Sequence, residues 1–194
     1  MNTTSMRKAS PPAPASSRLW WFVLVVALAL PSTQATAATR EEIDLHSEEA
    51  LTKFFQQTSA GKELADRAKG MLIFPRVYKA GFGFGGEYGE GKLIVGGRTE
   101  GYYNIASASV GFQLGAQRKA QLILFMTDDA LAQFRATEGW KAGVDGSVAL
   151  ATLGAGGGID SNTLREPVIG FIFSNEGLMY NLTFEGSKIS RLDK

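Results

Sequence analysis

Cysteine is absent from the 194 residues. No disulfide can staple the fold and no thiol can carry a lipid, so packing alone must hold the chain together. Histidine is nearly absent, with His46 the single one. That excludes Cys-His catalysis and any multi-histidine metal site. A Ser-His-Asp triad would have to rest on His46, which follows a run of acids and reads as a lone exposed side chain. An excess of one charge is missing too, with 20 basic against 19 acidic residues, so no broad cationic footprint for nucleic acid is expected. A transmembrane helix needs about 20 apolar residues. The run "LWWFVLVVALAL", Leu19–Leu30, stops at twelve.

That short run has another meaning. Arg7, Lys8 and Arg18 precede it, and Pro31 and the small residues Ala35-Thr36-Ala37 follow. Basic region, apolar region and A-x-A site in this order predict a secretory signal over residues 1–37, cut after Ala37. The alternative is a membrane anchor that stays on. Cleavage leaves Ala38–Lys194, 157 residues and 17 − 19 = −2 in formal charge, because Arg7, Lys8 and Arg18 leave with the signal. The expectation is one soluble domain, periplasmic or secreted, large enough for its own core.

Glycine is what the chain has in quantity, 23 residues. In "KAGFGFGGEYGEGK", Gly81, Gly83 and Gly86 match the dinucleotide pattern G-x-G-x-x-G, and Gly86–Lys92 nearly match a P-loop. Neither chemistry follows. A dinucleotide fingerprint must open a helix, and "EYGEG" is a poor helix start; Leu93 stands where a P-loop needs a hydroxyl for magnesium. Alternation explains the stretch better: as a strand it puts Gly81, Gly83 and Gly85 on one face and Phe82, Phe84 and Tyr88 on the other. A face without side chains lets another backbone approach or the strand bend sharply. The aromatic face is then either core or a wall against lipid.

The rest of the pattern is α+β. Ile43, Ser47, Ala50, Leu51, Phe54, Phe55 and Thr58 recur at helical spacing from Arg40 to about Thr58, with Thr39 as N-cap. A short helix is expected over Lys62–Lys69, capped by Gly70. Thr127 caps another, with Asp128 and Asp129 as helix-end residues and Leu131 and Phe134 buried. Between and after them "GKLIVGGR", "ASASVGFQLG", "AQLILFMT", "EPVIGFIF" and "GLMYNLTF" read as antiparallel strands, with "DGSVALAT" and "GAGGGI" repeating the small-residue device. The prediction is a glycine-rich, strongly bent antiparallel sheet with N-terminal amphipathic helices and one internal short helix. An outer-membrane barrel, which needs strands of about 9–11 residues throughout, fits the helical start and internal helix poorly.

"KGMLIFPRVYKAGFGFGGEYGEG", "ASVGFQLGAQ", "LILFMTDDALAQF" and "GVDGSVAL" together resemble the SYLF domain, in its exported bacterial branch, over Glu48 to Leu192. The matching positions include Lys69, Gly70, Pro75, Val77, Lys79, Gly81, Phe82, Gly111, Phe112, Gln113 and Gly115. The resemblance implies a phospholipid-binding, non-enzymatic domain; eukaryotic members bind phosphoinositides through a basic helix at their start, and some bind actin. Here that helix is acidic instead, with Glu41, Glu42, Asp44, Glu48 and Glu49 against Arg40 and Lys53. Candidate lipid contacts are the aromatic Phe54, Phe55, Phe82 and Phe84 and, for head groups, Lys69, Arg76 and Lys79. Expected partners are phospholipid or a membrane surface, with no cofactor, metal, nucleotide or nucleic acid. The alternative is an envelope scaffold that binds another protein.

Overall fold

The computed structural model describes residues 37–151, 162–177, 184 and 186–194, with the side chains at 82, 83, 109–115 and 174–177 left aside. The chain divides after Ala37, and Ala38–Lys194 forms one compact unit.

Helix α1 spans Arg40–Gln57 and starts as the sequence predicts. The Thr39 hydroxyl accepts from the Glu42 amide at 3.2 Å while the Glu42 carboxylate accepts from the Thr39 amide at 2.8 Å, a full capping box. Its buried face is Ile43, Ser47, Ala50 and Phe54. Thr58 then ends α1 and caps α2, Ser59–Arg67, by accepting from the Gly61 amide at 3.0 Å. The second helix therefore begins and ends earlier than predicted. Gly70 is no cap: Ala68 closes α2 in an extended conformation, and Gly70 is the first residue of a strand.

That strand, β1 (Gly70–Val95), and its partner β2 (Arg98–Phe125) form a long antiparallel ribbon, paired from Gly70 opposite Phe125 to Val95 opposite Arg98 with register shifts after Phe74, Phe82 and Leu93. Gly96 and Gly97 connect them with φ of 55° and 76°. A two-residue hairpin that follows the twist of its strands requires this left-handed pair, which glycine adopts without strain. The free edge of β2 serves two neighbours. Its first part, Tyr102–Ala106, pairs with β6 (Lys188–Leu192), and its last part, Gln117–Phe125, pairs with β5 (Val168–Gly177). Two-residue strands complete the sheet, β3 (Trp140–Lys141) on β6 and β4 (Ala149–Leu150) on β5. β4 runs parallel to β5, the one departure from the expected antiparallel pattern among the described strands. The stretches "GAGGGI" and "GLMYNLTF" fall largely outside the described residues.

The ribbon does not stay flat. Register slips between Phe82 and Phe84, where a Cβ on Gly81 would lie 2.6 Å from the Gly85 Cα. The strand doubles over there, and its two halves come together. A Cβ on Gly89 would stand 2.8 Å from the Arg76 carbonyl oxygen, and one on Gly91 would collide with that of Ile73. Of the glycines expected to admit another backbone, Gly81 marks the bend, and the close approach itself falls at Gly89 and Gly91, where β1 meets itself. Inside the curl, Leu72, Phe74 and Val77 meet Leu93, Tyr103 and Ile105. Helix α3 (Asp128–Ala136), capped by Thr127, closes this core with Phe134, whose ring lies 4.8 Å from Phe125 and 5.8 Å from Trp140. The outer face of the β5 half is covered by α1 and α2, where Phe54 sits among Leu122, Ile169, Phe171 and Phe173.

Candidate functional site

Because β-strands alternate, only one of Arg118 and Lys119 can face into the curl. Lys119 does, with 1% of the residue exposed. Its ammonium donates to Glu87 at 3.0 Å, and the Gln121 amide donates to the other Glu87 oxygen at 2.9 Å. Glu87 belongs to the far half of β1, so this polar cluster ties the two halves together. Burial pushes the Lys119 ammonium below its ordinary value, and the Glu87 carboxylate opposes that shift. Such a pair is weak evidence for stability but costly to break.

Outside the curl the same segment builds a surface pocket of about 70 Å³ with α1. Helix α1 lends His46, Glu49 and Lys53, β1 lends Pro75 and Arg76, and β2 lends Arg118. Basic groups outnumber the single carboxylate. The volume suits a few waters or one small anion and is too narrow for an acyl chain. Tyr78, the register partner of Arg118, is 55% exposed. Further toward the bend, Phe84 is 76% exposed. With Tyr78 and Tyr88 also exposed on the ribbon, a phenylalanine so open is the sort of apolar surface that marks contact with something else.

The predicted candidates divide. Arg76 lines the pocket, and Phe84 is open to solvent. The ring of Phe54 is fully buried, 4.8 Å from Phe171 and 5.0 Å from Phe173, so it has no surface to offer a lipid. Phe55 is half-buried against the same core, with the Lys62 ammonium 5.8 Å from its ring centroid. Lys79 is 9% exposed on the inward side and is drawn into the electrostatics of Lys119 rather than presented outward. Lys69 lies apart, 3.6 Å from Asp128 at the start of α3. The Phe82 side chain lies outside the described residues. Lys53 and Arg118 were missed. The signal for Arg118 was alternation beside an inward Lys119; Lys53 was hidden by counting the charges of α1 as a whole.

A family model described as Ysc84, Las17-binding protein actin regulator, matches residues 106–194. Over that span the chain is similar to this family, the SYLF domain. The match takes in β2 from Ala106 onward, α3, β5 and β6, a narrower span than the sequence resemblance from Glu48. Arg118 and Lys119 lie within it, whereas Lys53, Arg76 and Phe84 lie before it. No curated protein matches the chain. Among the described residues no helix is long and apolar enough to cross a membrane.

Proposed function

We propose that this SYLF-type protein is a non-enzymatic phospholipid-binding protein of the cell envelope, exported by residues 1–37 and acting at a membrane surface. The observation that carries the reading is the 76% exposure of Phe84 at the bend of the ribbon, on the same ribbon as Tyr78 and the Arg76 pocket. Burying an aromatic ring in the interfacial region stabilises binding by about 2 kcal/mol. Each basic residue near an anionic surface adds about 1 kcal/mol. Neither contribution anchors a protein alone, but together they give reversible attachment. The pocket would hold a phosphate oxygen of a head group at its basic rim, leaving the acyl chains in the bilayer.

The test is co-sedimentation with phosphatidylglycerol vesicles and with phosphatidylcholine vesicles, at low and high salt, for the natural protein and for Phe84→Ser. Binding to the anionic vesicles that weakens in salt and falls about tenfold or more in the variant supports the reading. Equal binding by both proteins removes Phe84 from the contact. A second reading is favoured by the family's description, which names a protein ligand, and exposed aromatic and arginine side chains also suit protein interfaces. It gains if neither vesicle is bound and Phe84→Ser instead abolishes capture of one stoichiometric envelope protein.

A further inference from the structure

Glu90 is a carboxylate with little access to water, its side chain 7% exposed. Three donors converge on it: the Tyr88 hydroxyl at 2.8 Å on one oxygen, and the Lys194 ammonium at 2.7 Å and the Ala38 backbone nitrogen at 3.0 Å on the other. Lys194 also donates to the Ala38 carbonyl oxygen. Ala38 is therefore held on both sides of its Cα, fifty-two residues in sequence from the carboxylate that holds it. A single alanine ahead of a helix cap has no packing reason to be gripped this way.

Its place in the chain supplies one. Ala38 is the first residue of the compact unit, and the bond before it follows Ala35-Thr36-Ala37, the small-x-small pattern read by signal-removing endopeptidases. We propose that Glu90 is a receptor for the amino terminus created when the chain is cut between Ala37 and Ala38. This rests on reading residues 1–37 as a removable signal. In the cut, water adds across the Ala37–Ala38 amide: Ala37 leaves as a carboxylate, and the Ala38 nitrogen becomes an amine that takes up a proton at neutral pH.

The atom that now gives Glu90 one neutral N–H then gives it a charge, and charge-assisted bonds are shorter and stronger than neutral ones. The site also solves a problem that cleavage creates. Thr39 is the N-cap of α1, so the new ammonium would sit at the positive end of the helix dipole, where cations are disfavoured. Glu90, reaching over from β1, places a carboxylate beside it, shared with the Lys194 ammonium and the Tyr88 hydroxyl. Burial first, and Glu90 second, push the Tyr88 phenol up to about 12, so Tyr88 remains a donor to that carboxylate throughout the physiological range. Processing would then lock α1 onto the ribbon, making the mature protein tighter than its precursor.

Two measurements on the protein recovered from the exporting cell test this. Its intact mass should place Ala38 first. An uncut chain would refute the signal reading itself, whereas a cut at another bond would leave export standing and overturn only the Glu90 site. The second is the labelling rate of the α-amine by an amine-directed acylating reagent at pH 7, folded against denatured. Docking predicts at least tenfold slower labelling in the folded protein, restored to within about twofold of the denatured rate by Glu90→Gln. Should that variant not fold, the natural protein still decides: labelling as fast when folded as when denatured overturns the proposal. Acetylating the α-amine keeps one N–H and removes only the charge, so it should lower the melting midpoint by about 2–4 °C. No change would mean that the charge is not used.

Discussion

The two ends of helix α1 carry similar numbers of charges and use them in opposite ways. At the N-terminal end the acids work within the fold: Glu42 completes the capping box, and Asp44 accepts from Lys92 at 2.9 Å and from Tyr102 at 3.1 Å. Lys92 has only 7% of its side chain exposed and would be stranded without that carboxylate. At the C-terminal end Glu49 and Lys53 line an open pocket with Arg76 and Arg118. The helix is acidic in sum, yet the acids that sum counts are partly spoken for by the sheet. Net charge along a helix is a poor guide to the field it presents, because each internal partner removes one charge from view.

The largest effect expected from testing this contrast is on stability. Phe54→Ala empties the centre of the cluster formed with Phe171 and Phe173, and such truncations cost about 3–5 kcal/mol. The comparison assigns Phe54 to the fold alone, so vesicle binding by whatever fraction remains folded should be unchanged. Chemical denaturation and co-sedimentation on the same preparation check both parts. A stable variant that no longer binds would return Phe54 to the lipid contact.

Next is the N-terminal end. Asp44→Asn keeps the shape but withdraws the charge from Lys92, and a loss of about 1–2 kcal/mol is expected, the low end being favoured because Asp44 is 39% exposed. An alkaline signature accompanies it. Burial, then Asp44, raises the Tyr102 phenol above its ordinary 10.0, and burial, then Glu90, takes Tyr88 to about 12. A raised folded pKa gives stability that is whole below pH 10 and is lost as pH climbs through the folded value. The melting midpoint should therefore fall between pH 10 and 12, and Asp44→Asn should shrink the Tyr102 share of that fall. A midpoint indifferent to pH over this window would sink the assignment.

Much of this architecture was legible before any coordinates. The period of α1, the Thr39 and Thr127 caps and the bend among the glycines are local signals, written in residues near one another; Gly96 and Gly97, read as part of the strand "GKLIVGGR", are instead its hairpin turn. What could not be read is what depends on the curl. That Gly89 and Gly91 make room for Arg76 and Ile73 of the same strand is a contact between segments that alternation places only in a direction, not against a partner. The site suffered most for the same reason. Phe54 and Phe84 are both aromatic residues on amphipathic elements, and only the covering of one face by β5 sends Phe54 inward while the bend leaves Phe84 out. Lys79 and Arg76 were grouped by proximity in sequence, yet their odd spacing puts them on opposite faces.

The smallest effect on stability should come from the C-terminal end, and it bears most directly on function. Lys53 is exposed and Arg76 half-exposed, so replacing both by serine should change stability by about 0.5 kcal/mol or less. If the pocket meets head groups, the pair contributes about 2 kcal/mol of attraction to an anionic surface, and the double variant should bind phosphatidylglycerol vesicles about 30-fold more weakly. Salt separates this from a generic effect. The Debye length falls to about 3 Å at 1 M, so both proteins should converge on the same weak, aromatic-driven binding there, with the difference confined to low salt. Lys69→Ser is the control, to be set against the single variant Arg76→Ser: it removes one positive charge from a site beside Asp128, away from the pocket, and should leave binding within about twofold of the natural protein. If Lys69→Ser weakens binding as much as Arg76→Ser alone, the protein senses membranes through its overall charge, and the contrast between the two ends of α1 loses its functional meaning.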